Sequence, residues 1–326
     1  MLFGDSPLPG LVGIARLASL SPSLEAKRTV EYFELPARSL LNRTRPGMPF
    51  TWTVNPYRGC EFACKYCYAR YTHEFMRQEP EDFENRIYVK ANLPHILRAE
   101  LRRTAEHEGI AIGTATDPYQ PAERRFKLTR SILEVLAKER GRAISITTKS
   151  DLVTRDVDLL LKLREHNKIH VNITITTLNE KLARLLEPRA PRPELRLGAV
   201  RQLSAAGIQV GVFPNPILPL ITDQEKSLDR LAKAAKDHGA SFFGGGILFL
   251  MPSAQKVFFP FLKTNFPHLM RRYEERYRAA AYLKGAYRDT IRERVHAVRE
   301  RYGLANAPVF DGEDRESELQ PGLFDE

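Results

Sequence analysis

Six short runs of apolar and β-branched residues recur between residues 51 and 250, and they constrain the fold more than any other feature of the sequence. Continuous runs of this kind are typical of strands that are covered on both faces. Between them lie segments with helical periodicity, such as the stripe Leu228, Leu231 and Ala235. Strands that alternate with helices predict right-handed crossovers and a parallel sheet, so we expect an α/β fold. Periodicity does not decide whether the sheet is open or curled into a barrel. The predicted strands are Thr51–Val54, Ile110–Thr114, Ala143–Thr148, Ile169–Ile175, Ile208–Phe213 and Gly246–Leu250.

Two threonine–glutamate pairs carry the capping-box signature of a helix start. They are Thr177 with Glu180 and Thr222 with Glu225. Each pair follows a predicted strand, which fits the alternation of strands and helices.

Composition excludes several classes of protein. With 43% hydrophobic residues among 326, the chain can bury a large core and is not wholly disordered. Its apolar runs are too short to cross a bilayer, and no secretory signal is evident, so we expect a cytoplasmic protein without a membrane partner. The net charge of +10 admits an anionic partner such as nucleic acid, although a solvated basic surface gives the same sum.

The chain divides into four predicted segments. Residues 1–50 show little periodicity and are expected to form a loosely structured arm, and residues 51–252 hold the strands and helices of the core. Residues 253–304 form a helical extension, in which the part from 267 to 302 carries ten basic and five acidic residues. Residues 305–326 form an acidic tail that is expected to be disordered.

Three cysteines, Cys60, Cys64 and Cys67, are the only ones in the chain. An odd number packed into eight residues cannot be a disulfide framework, and it indicates a reducing compartment and a metal site. Three thiolates on one loop can hold three irons of a cubane cluster and leave the fourth iron open. The alternative is a closed zinc site completed by His73.

The spacing C-x3-C-x2-C, with Tyr66 just before the last cysteine, resembles the signature of the radical S-adenosylmethionine (SAM) superfamily. The longer segment 55–70 is similar to the branch related to spore photoproduct lyase. Further stretches that resemble this branch are residues 113–120, 147–150 and 187–191, so that the resemblance covers roughly residues 50 to 250.

The resemblance implies a partial (β/α)6 barrel of the TIM type with a [4Fe–4S] cluster at the carboxyl ends of its strands. It further implies that the cluster binds SAM and cleaves it after one-electron reduction, which yields a 5′-deoxyadenosyl radical that abstracts hydrogen from a substrate. A low-potential electron donor of the flavodoxin or ferredoxin type is then an expected partner. Nucleic acid is a further possible partner, through the basic C-terminal helices.

Several residues are candidates for contacts with SAM. The resemblance places Tyr66 against the adenine, and it places Thr114, Thr116 and Asp117 near the amino end of SAM, although the family often has Gly-Gly-Glu there. The other candidates are Lys149 for the carboxylate, Ser150, Thr174 and Thr176 for the ribose, and Arg189 for a carboxylate or phosphate.

Alternatives remain open at these positions. Asp117 precedes a proline and is also a turn starter, Ser150 suits a helix N-cap, and Arg189 suits an exposed turn. Ordinary packing explains Tyr66 equally, and Lys149 is also compatible with a solvated position.

The hydrogen donor is not evident. The lyase of this branch uses a separate cysteine for that role, and this chain has none beyond the three ligands, so Tyr119 is the candidate. Three hypotheses follow: a radical SAM enzyme of unknown substrate, a zinc-stabilised nucleic-acid-binding protein, and an iron–sulfur protein that binds SAM without catalysis.

Overall fold

The computed structural model describes residues 12–21, 23–27 and 30–308, and a seven-stranded sheet is its central element. Six strands run parallel in the order of the chain, and a seventh pairs antiparallel at one edge. The edge strands do not pair with each other, so the sheet is open on one side. The strands, in spatial order, are β3 (Leu41–Arg43), β4 (Trp52–Val54), β7 (Ile110–Ile112), β8 (Ala143–Thr148), β9 (Lys168–Thr174), β10 (Gln209–Phe213) and β11 (Phe242–Phe243).

Helices connect the parallel strands and confirm the predicted α/β architecture. The helices are α1 (Gly13–Ser19), α2 (Tyr71–Glu74), α3 (Leu93–Leu101), α4 (Ala122–Phe126), α5 (Leu128–Leu136), α6 (Val157–Arg164), α7 (Glu180–Leu186), α8 (Pro193–Ala205), α9 (Glu225–Asp237), α10 (Pro252–Asn265), α11 (Met270–Tyr277) and α12 (Ala286–Arg301).

Five of the six predicted strands are confirmed, but the sixth is wrong. The predicted strand Gly246–Leu250 is reduced to one isolated bridge between Ile247 and Ile217, and the sixth parallel strand is β11, which ends just before Gly244. The apolar run is buried for another reason: Leu248 and Leu250 pack in a cluster with α10 and α11. An apolar run reports burial, which a connecting segment under two helices satisfies as well as a strand.

Helices begin at both predicted starts, α7 at Glu180 and α9 at Glu225, but neither is capped by the predicted threonine. Helix α7 is capped by Asn179, whose side chain accepts a hydrogen bond from the Leu182 amide at 3.0 Å. Helix α9 begins after Gln224, and the Thr222 hydroxyl instead accepts a hydrogen bond from the Leu218 amide at 2.8 Å. At α7 a nearby asparagine takes the capping position. At α9 a contact within the loop occupies the threonine hydroxyl.

A second sheet builds on the N-terminal arm. Its four strands are β1 (Ser23–Lys27), β2 (Val30–Pro36), β6 (Arg86–Ala91) and β5 (Tyr57–Arg58), in that order. Strand β2 pairs with β6 over six residues and buries Tyr32 and Leu35. The arm is therefore not loosely structured at β2, because its alternating apolar residues find a partner strand inserted between β4 and β7.

The C-terminal helix belongs to the main core. Ile291, Val295 and Val298 of α12 are buried in the same apolar cluster as strands β7 to β10. The predicted acidic tail lies outside the described residues from position 309 onward. Among the described helices, none has the length and apolar character required to cross a membrane.

Candidate active site

The three cysteines lie on the loop that leaves the first parallel strand, after β4 and β5. The loop turns sharply at Gly59, whose φ is +82° and where a Cβ would lie 2.8 Å from the Arg86 carbonyl. Cys60, Cys64 and Cys67 are free thiols that line one cavity of about 300 Å³. Burial raises the pKa of all three thiols.

Residues that follow β7 hold the start of this loop. The Thr116 hydroxyl donates to the Gly59 carbonyl at 2.6 Å. The Gln120 amide donates to the same carbonyl at 3.1 Å and accepts from the Glu61 amide at 2.9 Å. The predicted SAM ligand Thr116 thus contacts the cysteine loop, although its side chain still borders the cavity.

Thr114 is held by two residues that the sequence reasoning did not single out. The Asn55 side chain donates to the Thr114 hydroxyl at 3.1 Å and accepts from the Ala115 amide at 2.8 Å. Tyr68 donates its phenol proton to the Thr114 carbonyl. Asn55 and Tyr68 both lie within the segment 55–70 that resembles the family, which was the available signal for them.

Asp117 and Lys149 are the only Asp, Glu, Lys or Arg side chains that line the cavity among the described residues. Asp117 accepts hydrogen bonds from the Thr148 hydroxyl at 2.6 Å, from the Lys149 amide at 2.7 Å and from the Tyr119 amide at 2.9 Å. It therefore joins the ends of β7 and β8. Burial raises the pKa of Asp117, and these hydrogen bonds oppose that shift.

Tyr66 is fixed by a buried polar network. Its phenol donates to Glu187 and lies 3.0 Å from the Thr176 hydroxyl, which itself donates to Glu187 at 2.6 Å. The other carboxylate oxygen of Glu187 lies 2.5 Å from the Arg196 guanidinium, and both side chains are 1% exposed. The Lys149 ammonium lies 5.8 Å from the centroid of the Tyr66 ring.

The electrostatic balance at Glu187 favours its charged form. Burial alone would raise the pKa of this carboxyl, but Arg196, Lys149 and the hydrogen bonds from Thr176 and Tyr66 outweigh it and hold the pKa below its usual value. The residue before Glu187 also holds the cysteine loop. The backbone carbonyl of Leu186 accepts a hydrogen bond from the backbone amide of Lys65 at 2.9 Å.

Four predicted residues lie away from the cavity lining. The Ser150 hydroxyl caps the helical turn that follows β8, and Thr176 is engaged in the network of Glu187. Arg189 is exposed and donates to Asn85 at 3.1 Å, so it clamps a surface turn. Tyr119 is 1% exposed and packs in the main core, whereas Tyr66 and Tyr68 line the cavity. Thr174 does line it.

His73 does not complete a zinc site. It is fully buried, its Nε2 lies 3.0 Å from the Arg86 carbonyl, and its ring packs edge-on against Phe83 and Tyr88. In the described residues, no three His, Cys, Asp or Glu side chains are placed so that they could together bind a single metal ion. The position of His73 removes the alternative of a closed Cys3His zinc site.

The model of the radical SAM superfamily matches residues 54–235, which is more than half of the chain and includes all three cysteines. The chain belongs to the radical SAM superfamily. This membership implies a [4Fe–4S] cluster and SAM as cofactors and requires a source of electrons. The chain is also 37% identical to an uncharacterised protein of Mycobacterium tuberculosis over 309 residues, which span 92% of this chain and 89% of that one. It is 35% identical to an uncharacterised protein of Methanocaldococcus jannaschii over 60% of this chain and 71% of that one.

Solved structures of spore photoproduct lyase share the fold of this radical SAM protein. One mutant of that lyase superposes with a TM-score of 0.60 at 16% identity, covering 90% of this chain and 84% of the other. The lyase complexed with dinucleoside spore photoproduct gives 0.57 at 18% identity, covering 90% and 82%. The partial barrel expected from the resemblance is therefore confirmed.

The residues present fit an iron–sulfur cluster. Three thiols on one loop open into the cavity, none forms a disulfide, and the chain has no fourth cysteine to close the site. Three protein ligands leave one iron available to SAM.

Proposed function

We propose that this protein cleaves SAM reductively and uses the resulting 5′-deoxyadenosyl radical to abstract hydrogen from a substrate. The cluster held by Cys60, Cys64 and Cys67 supplies the electron for this cleavage when it is bound. The substrate class is open, and a nucleoside-containing substrate is a candidate because the lyase that shares the fold has been solved with a dinucleoside photoproduct.

One observation carries this proposal: the three thiols and the two charged side chains of the lining, Asp117 and Lys149, meet in one cavity. SAM carries an amino and a carboxylate group at the end that chelates iron. The amino group donates N–H hydrogen bonds and the carboxylate accepts them, so a cavity with one carboxylate and one ammonium beside three thiols offers a partner to each.

The placement of the side chains supports a proposed role for each. Lys149 is the candidate for the SAM carboxylate. Among the described residues, the nearest carboxylate oxygen to its ammonium is on Glu187 at 4.0 Å, which is too far for a hydrogen bond, so the ammonium can donate one to SAM. Asp117 is the candidate for the amino group, because a buried carboxylate accepts the N–H hydrogen bonds that this group donates. Thr114 and Thr116 line the cavity and remain candidates for the amino end, Thr174 for the ribose, and Tyr66 for the adenine. Ser150, Thr176 and Arg189 are left out of the set because none of them lines the cavity.

The test is anaerobic reconstitution with iron and sulfide, followed by SAM and dithionite. We expect 5′-deoxyadenosine, and we expect Cys64→Ala to abolish it while exposed Leu185→Ser retains it. Reduced flavodoxin or ferredoxin should replace dithionite. A loaded cluster that yields no 5′-deoxyadenosine would favour the non-catalytic alternative.

A further inference from the structure

The cavity that the thiols line extends along one face of the curved sheet, from the carboxyl ends of the strands to their middle. Its lining includes three residues from the middle of neighbouring strands, namely Ala111, Ser145 and His170. The strand register places them side by side, with Ala111 opposite Ser145 and Ser145 opposite His170. Ala111 and Ser145 are small and leave space that bulky branched side chains fill in closed barrels.

Asn172 is the central polar group of this region. It lies opposite Thr147 on β8 and Gly211 on β10, in the row just above His170. Its side chain is 5% exposed, and its Nδ2 donates to the Thr147 hydroxyl at 3.1 Å. Its Oδ1 is buried and has no hydrogen-bond partner among the described residues. A buried amide oxygen of this kind is normally satisfied by a protein group, water or ligand.

The charged side chains of the cavity do not lie beside Asn172. Asp117 and Lys149 stand at the carboxyl ends of the strands, and no Asp, Glu, Lys or Arg lines the cavity at the level of Asn172. Burial lowers the pKa of His170 to about 4, so its imidazole is neutral at pH 7. A charged ligand at this depth would lose its hydration without gaining a counter-charge.

We propose that this interior pocket, formed by Ala111, Ser145, His170 and Asn172, binds the reacting part of the substrate. That part is a small uncharged group whose N–H or O–H donates to the Asn172 Oδ1. The proposal rests on the proposed function, because the pocket opens toward the thiols where SAM is cleaved. Phosphate groups of a larger substrate, if it has any, stay outside the pocket.

The test uses acetamide and acetate as probes, since they have the same shape and differ in charge and in the N–H donor. Each is soaked into crystals of the full-length, cluster-loaded protein with SAM, and binding is quantified in solution by ligand-observed NMR. We expect acetamide beside Asn172 and acetate to bind at least about tenfold more weakly.

Two variants test separately the hydrogen bond to Asn172 and the volume of the pocket. Asn172→Leu removes the amide at nearly constant volume, and Ala111→Leu fills the pocket from β7, which β8 separates from the strand of Asn172. We expect each to weaken acetamide binding about tenfold or more. Asn42→Leu, on exposed edge strand β3, is the matched control and should bind as the parent does. Unfolding temperatures establish that each variant is folded, and Ala111→Leu provides the test if Asn172→Leu does not fold.

The proposal is overturned if acetate binds as well as acetamide, if neither probe binds, or if acetamide still binds at parental affinity to folded Asn172→Leu or folded Ala111→Leu. Formation of 5′-deoxyadenosine is measured in parallel on the same samples. Cleavage of SAM without acetamide binding would reject the pocket and leave the proposed function intact. Acetamide binding without cleavage of SAM would reject the proposed function and leave the pocket only as a binding site for a small uncharged group.

Discussion

Lys149 is the residue whose role is most directly measurable. Its ammonium is the only lysine or arginine cation that lines the cavity in the described part of the chain, and it lowers the pKa of Cys64 against the larger opposing effect of burial. We predict that Lys149→Met weakens SAM binding to the cluster-loaded protein by about tenfold or more, which one lost charge-assisted hydrogen bond accounts for.

Isothermal titration measures this effect. Lys65→Met is the control, because Lys65 lies on the same cysteine loop but outside the cavity lining. Equal losses of affinity in the two variants would contradict a specific contact with Lys149.

Glu187 and Arg196 form a buried ion pair beside Tyr66, and this makes Glu187 sensitive to substitution. We predict that Glu187→Gln lowers the free energy of unfolding by about 3–5 kcal/mol, because Arg196 is left as a buried charge without a partner. Urea denaturation of the cluster-free protein measures this change. Replacing both residues, as in Glu187→Gln with Arg196→Met, should be less destabilising than the single substitution.

The same pair gives a pH dependence. The pKa of Glu187 is lower in the folded protein than in the unfolded chain. Its contribution to the free energy of unfolding is therefore fully present above its pKa in the unfolded chain, and it is lost as pH falls through its pKa in the folded protein. Glu187→Gln should remove this part of the acid sensitivity. Asp237→Asn, which breaks an exposed pair with Lys233, serves as the control, and a comparable effect there would contradict the role of burial.

At the scale of elements, polar side chains at strand ends fix the cysteine loop. Asn55 follows β4, Gln120 follows β7, and each bonds backbone groups at the carboxyl edge of the sheet. The sequence indicated the loop and its strand. It did not indicate which side chains hold the loop, because those partners come from different strands and meet only when the sheet forms.

Helix α12 offers a sharp test of packing. Val298 is fully buried in the main core, while the preceding Ala297 is exposed. We predict that Val298→Asp destabilises the protein by about 3 kcal/mol or more, since it buries a carboxyl without a partner. Chemical denaturation should show Ala297→Asp within about 0.5 kcal/mol of the parent. Similar losses in both variants would mean that α12 does not pack as described.

At the scale of the whole molecule, the basic C-terminal helices are partly committed to the fold. Arg294 donates to the Asp223 carbonyl at 2.8 Å, and Arg301 pairs with Asp229 at 2.5 Å. Exposed Arg272, Arg278 and Arg292 remain for an anionic partner.

We predict that oligonucleotide binding weakens as salt rises, and that replacing these three arginines with glutamine reduces the slope of log K against log salt by about 3 for duplex DNA. Fluorescence anisotropy at several salt concentrations measures both effects. Binding that is indifferent to salt would contradict a role of these helices in nucleic-acid recognition.

The sequence by itself indicated the cysteine motif of the family, the parallel sheet and the family itself, because each depends on the spacing of residues along the chain. Only the tertiary structure decided that Thr176 and Glu187 hold Tyr66, that Tyr119 and Ser150 lie away from the cavity, and that residues 247–250 are not a strand. The physical reason is the geometry of the sheet. Periodicity shows which side chains are buried, but long-range packing chooses their neighbours: Tyr66 and Glu187 are 121 residues apart.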